Sequence, residues 1–234
     1  MSFLFAREYA MQKTKKVVIL GDSAFAEIAY EYFTHDSPYD VAGFAVEQAF
    51  LKRSELFGLP VVPFESIEEH FDPHSHDFFA AVTYGQLNRL RTRLYTTAKS
   101  RGYRPASYIS SQAFVWRNVE IGEHCFIFEN NVVQPFSRLG NNVVLWSGNH
   151  IGHHSVIGDN CFVASHAVIS GFVEIGANCF VGVNATFANN IRVGADCVIG
   201  ASALVASDVD EDKVMRGTAG EPAGSARRLN RIRT

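Results

Sequence analysis

With 234 residues, 47% of them hydrophobic, the chain can bury a sizeable core and has room for two domains. Its formal net charge of −3, with no basic cluster inside the stretches that look folded, argues against nucleic acid as the main partner. Residues 1–14 carry charge and no long apolar run, so a signal peptide or membrane span is not expected there; a flexible extension and a cytoplasmic protein are.

Residues 15–105 alternate apolar runs with amphipathic ones. Residues 16–20 (KVVIL) read as a strand buried on both faces, followed by a helix over 24–33 that Asp22 or Ser23 is placed to cap. Residues 41–46 (VAGFAV) read as a second strand and 61–62 as a short third. Ser66 with Glu69 makes a capping box for a short helix. Residues 78–83 read as the next buried strand and 88–101 as a helix, with Pro105 ending the unit. This is the pattern of a small α/β domain with a parallel sheet, whose ligands lie at the carboxyl ends of the strands. The loop Gly21-Asp22-Ser23-Ala24-Phe25-Ala26 stands where a G-x-G-x-x-G fingerprint would, but keeps only the first glycine, which argues against a dinucleotide dehydrogenase. The helix behind the loop still offers N–H groups to a phosphate or carboxylate, and Asp22 reads equally well as an N-cap and as a ligand residue.

Residues 109–210 divide into seventeen six-residue units without one insertion or deletion, each opening on an aliphatic residue except at Phe187. The fifth position is small in most units, and it lies two residues before the next opener, so both point inward from one extended strand. The fourth is Asn at Asn118, Asn130, Asn142, Asn160, Asn178, Asn184 and Asn190, which reads as a corner with positive φ. Three units close one triangular coil of eighteen residues. A unit that cannot bury its own apolar face has to stack on its neighbours. The four cysteines, Cys125, Cys161, Cys179 and Cys197, all occupy the fifth position at multiples of eighteen residues, so they form an inward column of buried thiols rather than a metal site or disulfides. Asn131 and Asn149, also inward, are expected to form a hydrogen-bonded ladder. Trp116, Phe128, Trp146 and Phe172 fall on outward positions, which predicts an interface along the prism. Residues 216–234 read as a tail, with Arg227, Arg228, Arg231 and Arg233 as a solvated basic end.

The hexads resemble the left-handed parallel β-helix of hexapeptide acyltransferases. An α/β domain (15–105) followed directly by such a helix (106–215) resembles the sugar-nucleotide N-acetyltransferases of the bacillosamine type, with sialic-acid O-acetyltransferase relatives. The resemblance implies that the first domain holds a nucleotide-linked amino sugar and that the helix holds acetyl-CoA between adjacent subunits of a homotrimer. Its substrate positions fall on Ser23, Ala24, Phe25, Val46, Glu47, Tyr84 and Gly85, and Gly21 and Asp22 of the same loop are expected to join them. Its CoA positions fall on Phe162, Gly171, Val183 and Ala201, and its G-x-P-A segment on Gly220-Glu221-Pro222-Ala223. The glycine-rich, histidine-bearing first loop of that family is missing here.

The repeat register also sorts the histidines. His124, His154 and His166 stand at the fourth position, where a turn role suffices, and His150 at the sixth, on an outward strand face. His153 alone of these takes the third, and one coil later the equivalent residue is Gly171, which leaves room for a ligand beside the imidazole. His153 also aligns with the family's catalytic histidine, and imidazole is the side chain suited to take an amine's proton near neutral pH. In the family an acidic residue often accompanies that histidine; here the next residue is His154. The alternatives are an O-acetyltransferase on a sugar or sialic acid and a non-catalytic sugar-nucleotide scaffold. A metal-dependent hydratase of the same fold is disfavoured, because His150, His153, His154 and His166 lack its ligand spacing, and no metal is expected.

Overall fold

The computed structural model describes residues 11–220. Six strands, β1 (Lys15–Leu20), β2 (Tyr39–Val46), β3 (Glu55–Leu56), β4 (Leu59–Pro63), β5 (Asp77–Ala80) and β6 (Arg104–Pro105), form a sheet in the order β3-β4-β2-β1-β5-β6. All neighbours are parallel except the β3–β4 hairpin. Val17, Val18, Ile19 and Leu20 are buried, as a central parallel strand covered on both faces requires. Helix α1 (Ala24–His35) buries Phe25, Ala26, Ala29 and Phe33, one apolar stripe, against one face; α2 (Arg89–Ser100) covers the other with Leu94, Tyr95 and Ala98. Proline at β6 is tolerated because that strand is the sheet edge.

Two capping expectations fail locally. Ser23 occupies the N-cap position of α1 by backbone, yet no side chain completes the cap. Asp22 turns instead to Arg53, at 3.4 Å. The turn after β4 is a short 3-10 helix (Phe64–Glu69) opening at Pro63, so Ser66 lies inside it with φ −120° and makes no capping box. Proline's fixed φ starts the helix before the serine is reached. At the other end, Thr14 donates its N–H to Pro38 and Lys13 binds the carbonyls of Phe33 and Ser37, so residues 13 and 14 are tied down rather than loose. The rest of the expected extension before residue 11 lies outside the described residues, as do the tail arginines and Glu221-Pro222-Ala223.

Two-residue strands then recur every six residues from Tyr108–Ile109 to Leu204–Val205, and each up to Thr186–Phe187 is paired in parallel with the strand eighteen residues on. The last turn closes irregularly, Val198–Ile199 pairing with Val214–Met215. They make three faces: a first led by Tyr108–Ile109, a second by Phe114–Val115 and a third by Glu120–Ile121. The openers from Ile127 to Val205 fill the interior, with the four unpaired cysteines in their column. Ile109 is the exception, 44% exposed, because the prism's open end gives it no rung to pack on. The fourth position has positive φ without a break from His124 to Ser202. Asn118 does not; its Oδ1 accepts the Phe136 N–H at 3.1 Å instead. The inward Asn131 and Asn149 bond to backbone, Asn131 to Phe128, Leu145 and Trp146, rather than to each other. The side-chain ladder runs at the corner between third and first faces, from Asn142 to Asn160 (2.9 Å) and from Asn160 to Asn178 (3.1 Å).

The sheet packs on the first face. Phe25 meets Phe126, Phe128 and Trp146 at centroid separations of 5.6, 6.2 and 5.4 Å, so Phe128 is buried under this chain's own α1 and Trp146 is partly covered by it. Trp116 and Phe172 do remain exposed. Beside this apolar contact, Arg91 is wholly buried and donates to Asn142 Oδ1 and to the carbonyls of Asn142, Asn160 and Cys161. Burial pulls its guanidinium down to about 10. His124, also wholly buried, accepts the Ala80 N–H at Nε2 (2.8 Å), so its proton sits on Nδ1 and is given to Asn142 Oδ1 (2.9 Å). The imidazole is thereby held neutral, and burial pushes it down to about 3.

Two tests follow from this junction. Arg91→Met, which keeps the length and strands the carbonyls, is expected to lower stability by about 3 kcal/mol in urea unfolding, on the scale of buried polar groups losing a charged partner. For His124, the unfolded imidazole protonates below about 6.5 while the folded one stays neutral, so the unfolded state binds the extra proton and stability falls as pH drops. A single-site linkage gives a loss of about 2 kcal/mol between pH 7 and pH 5. That portion of the slope is expected to disappear in His124→Gln.

Candidate functional site

His153 stands at the edge between the second and third faces, where the chain leaves the strand His150–Ile151. Gln134 Oε1 accepts its backbone N–H at 3.0 Å, one coil below. On the other side lies Gly171, whose N–H is held by Asn189 Oδ1 at 3.0 Å. A Cβ on Gly171 would come within 2.7 Å of His153 Cε1 and 2.8 Å of Nε2, so the ring lies across the glycine and depends on its missing side chain. His154, read from the sequence as a turn residue, does take the corner with φ 60°, but its ring is also engaged. Its Nδ1 is 3.1 Å from His153 Nδ1, and it is stacked between Phe136 and Phe172, at 4.7 Å from each. Phe136 and Gln134 were not singled out by the sequence reading; the signal was present as an aromatic column at positions 136, 154 and 172.

The first-loop residues gather at the carboxyl ends of β1 and β2. Gly21, Asp22, Ser23, Val46 and Glu47 line a cavity of about 240 Å³ with an apolar floor that includes Val82 and Leu90. Gly21 has φ +117°, and the carbonyl of Ala81 would lie 3.1 Å from any Cβ there, so the turn requires glycine. Because no side chain caps α1, its first N–H groups face this loop unclaimed by side chains. Each carboxylate at the cavity is answered by an arginine: Asp22 by Arg53, and Glu47 by Arg93 through two bonds of 2.7 and 2.9 Å. The Arg93 hydrogen bonds hold Glu47 below the usual carboxylate range.

The remaining predicted positions scatter. Ala24 is exposed beside the loop, but Phe25, expected at the substrate, is 2% exposed and belongs to the core that docks α1 on the prism; only its backbone could serve a ligand. Tyr84 and Gly85 do not line the cavity; Tyr84 leans over Phe162 and Phe180, at 5.1 and 4.4 Å. Phe162, expected at the cofactor, is 3% exposed beneath Tyr84 and Arg91, so its ring is structural. The reading missed this because a hexad marks a residue as outward without saying which outward face is covered. Val183 and Ala201 are exposed, stacked one coil apart on the edge between first and second faces, with Gly217 packed against the Ala201 carbonyl.

Residues 136–171 and 172–207 each match the family described as bacterial transferase hexapeptide (six repeats). No curated protein sequence matches significantly. The fold is similar to PerB from Caulobacter crescentus, solved in complex with CoA and GDP-perosamine, at 22% identity and TM-score 0.77, covering 89% of this chain and 97% of that one. It is similar too to the acetyltransferase domain of PglB from Neisseria gonorrhoeae (21% identity, TM-score 0.75, 90% and 100% covered). WeeI from Acinetobacter baumannii is a third (20%, 0.67, 87% and 97%). The architecture is thus an α/β sheet unit followed by a left-handed parallel β-helix of hexapeptide repeats.

Gly171→Ala tests the His153 contact directly. The obstructing atoms are the far end of a side chain, so the protein is expected to fold with nearly wild-type thermal stability while the ring is pushed aside. The measurement is the His153 imidazole signal by NMR, expected to shift while signals from the sheet unit do not.

Proposed function

We propose that the protein transfers the acetyl group of acetyl-CoA to the amine of a nucleotide-linked amino sugar, with His153 as general base. The observation that carries this is His153 lying across Gly171 on the prism edge, in a chain whose sheet unit also presents a cavity at its strand ends. The similarity to folds solved with CoA and with GDP-perosamine supports the choice of both substrates. Acetyl-CoA supplies an activated thioester. The amine attacks its carbonyl carbon, His153 takes the proton the nitrogen sheds, and collapse of the tetrahedral intermediate expels the CoA thiolate, which recovers that proton. The nucleotide end is held by Gly21, Asp22, Ser23, Ala24, Val46 and Glu47, with phosphate near the uncapped start of α1. Binding energy there positions the distant amine.

None of the residues that line the cavity belongs to the edge that bears His153. The sheet covers the first face, and the edge bearing His153 is the one that face does not touch. A complete site therefore takes the cavity of one copy and the edge of another. Such a contact joins two different patches and closes as a ring, and we read the protein as a homotrimer. The exposed Trp116, Phe136 and Phe172 are the apolar surface available to it. No helix of the described residues is long and apolar enough to cross a membrane, and four unpaired buried thiols suit a reducing compartment, so we place the protein in the cytoplasm.

Release of free thiol from acetyl-CoA, screened over nucleotide-linked amino sugars, is the test. His153→Asn is expected to lower turnover by about a hundredfold or more, the usual scale for a lost general base. Mixed assemblies of His153→Asn with Ser23→Trp are expected to regain activity that neither variant has alone. Release with hydroxyl sugars only would replace the acceptor, and binding without release would leave a scaffold.

A further inference from the structure

His153 has no carboxylate within hydrogen-bonding reach of its ring among the described residues; the group facing its Nδ1 is another imidazole. Two neutral rings at 3.1 Å share one proton between their Nδ1 atoms, so one ring is the Nδ1–H donor and the other, protonated on Nε2, is the acceptor. The two rings stand at 87° to each other, and His153 also meets the Phe172 edge at 5.1 Å and 87°. The acceptor ring must not swing if it is to fix its partner. His154 is held on both faces, by Phe136 at an interplanar angle of 26° and by Phe172 at 16°. Those two phenylalanines occupy left-handed backbone, φ 64° and 59°, although the corner's commonest residue, asparagine, adopts that conformation with less strain. An aromatic there is strained, and strain kept at a site points to a use for it.

We infer that His154 is the positioning residue for His153: clamped between Phe136 and Phe172, it accepts the Nδ1–H of His153 and so leaves His153 Nε2, which lies over Gly171, bare to receive a proton. The inference rests on the acetyl-transfer reading for the use of that bare nitrogen. The tautomer itself is a property of the resting protein. His154 here does through a neutral ring what a carboxylate does in an acid–histidine pair, fixing orientation and tautomer without bringing a charge to the edge.

The column itself supplies the test variant, since phenylalanine is already accommodated above and below. His154→Phe keeps the stack and the left-handed corner and removes only the acceptor. His154→Asn places an amide oxygen one bond from Cγ, where Nδ1 was, and suits the corner backbone. In ¹⁵N-labelled protein without substrate, His153 is expected to show an unprotonated Nε2 and a protonated Nδ1, and His154→Phe is expected to abolish that preference. In turnover, His154→Phe is expected to lower kcat by about tenfold to a hundredfold with KM for acetyl-CoA within twofold, and His154→Asn to recover most of it. A protonated Nε2 on His153 in the wild type, or a tautomer preference that survives in His154→Phe, would overturn the inference. Because the NMR readout needs no turnover, absence of acetyl transfer with the expected tautomer would sink the proposed reaction and leave the pairing standing, whereas normal kcat in His154→Phe would remove the positioning role alone.

Discussion

Arg91 reaches from α2 into the corner of the prism and gives its protons to carbonyls on successive rungs, at Asn142, Asn160 and Cys161. A lysine could not replace it, because one ammonium cannot address acceptors spread over two coils, whereas the planar fork of five N–H groups can. Asn142 accepts from Arg91 and His124 at one oxygen and passes its own amide proton to Asn160, so guanidinium, imidazole and asparagine column form one connected network. Asn88, at the start of α2, extends the same grip to the carbonyls of Asn178 and Cys179. A network in which every member is satisfied tolerates little displacement. The place of the strand-end cavity relative to the prism follows from it.

The apolar half of the junction is built from aromatic rings in offset and edge-on contact, from Phe25 and Phe33 of α1 to Tyr108, Phe126 and Phe128 of the first face. Such rings fill volume without polar atoms, and the polar network lies beside them rather than among them. The junction thereby divides its labour: burial supplies the attraction and the arginine supplies the register.

Much of the prism was legible because a six-residue period with no slip leaves one arrangement open. The pairing of His153 with Gly171 could be read as well, since eighteen residues is one turn. What periodicity could not say is which outward face the sheet unit would cover. Phe128 and Trp146 were therefore read as surface and Phe162 as a cofactor contact, when all three are packed under α1, Tyr84 or Arg91. Local chemistry misled elsewhere. Asp22 had the right type to cap α1 but found an arginine, and Ser66 came after a proline that had already begun the turn. His154 was judged by its corner alone, because backbone preference is visible in one residue while a stack needs three residues eighteen apart.

The eighteen-residue turn makes the prism a graduated rule. Arg91 marks the rungs of Asn142 and Asn160, and His153 lies between those marks. A gain or loss of six residues between 142 and 153 would carry the histidine round to a different edge, and one of eighteen would return it to its edge about 4.8 Å along the axis, one strand spacing from its proper height. Beyond Asn190, where the last contacts below Gly171 have been made, whole turns could be added without moving either mark. Length between Asn142 and His153 is therefore fixed by the two marks, whereas beyond Asn190 the sheet unit's side-chain grip on the prism is the Arg89–Asp196 ion pair.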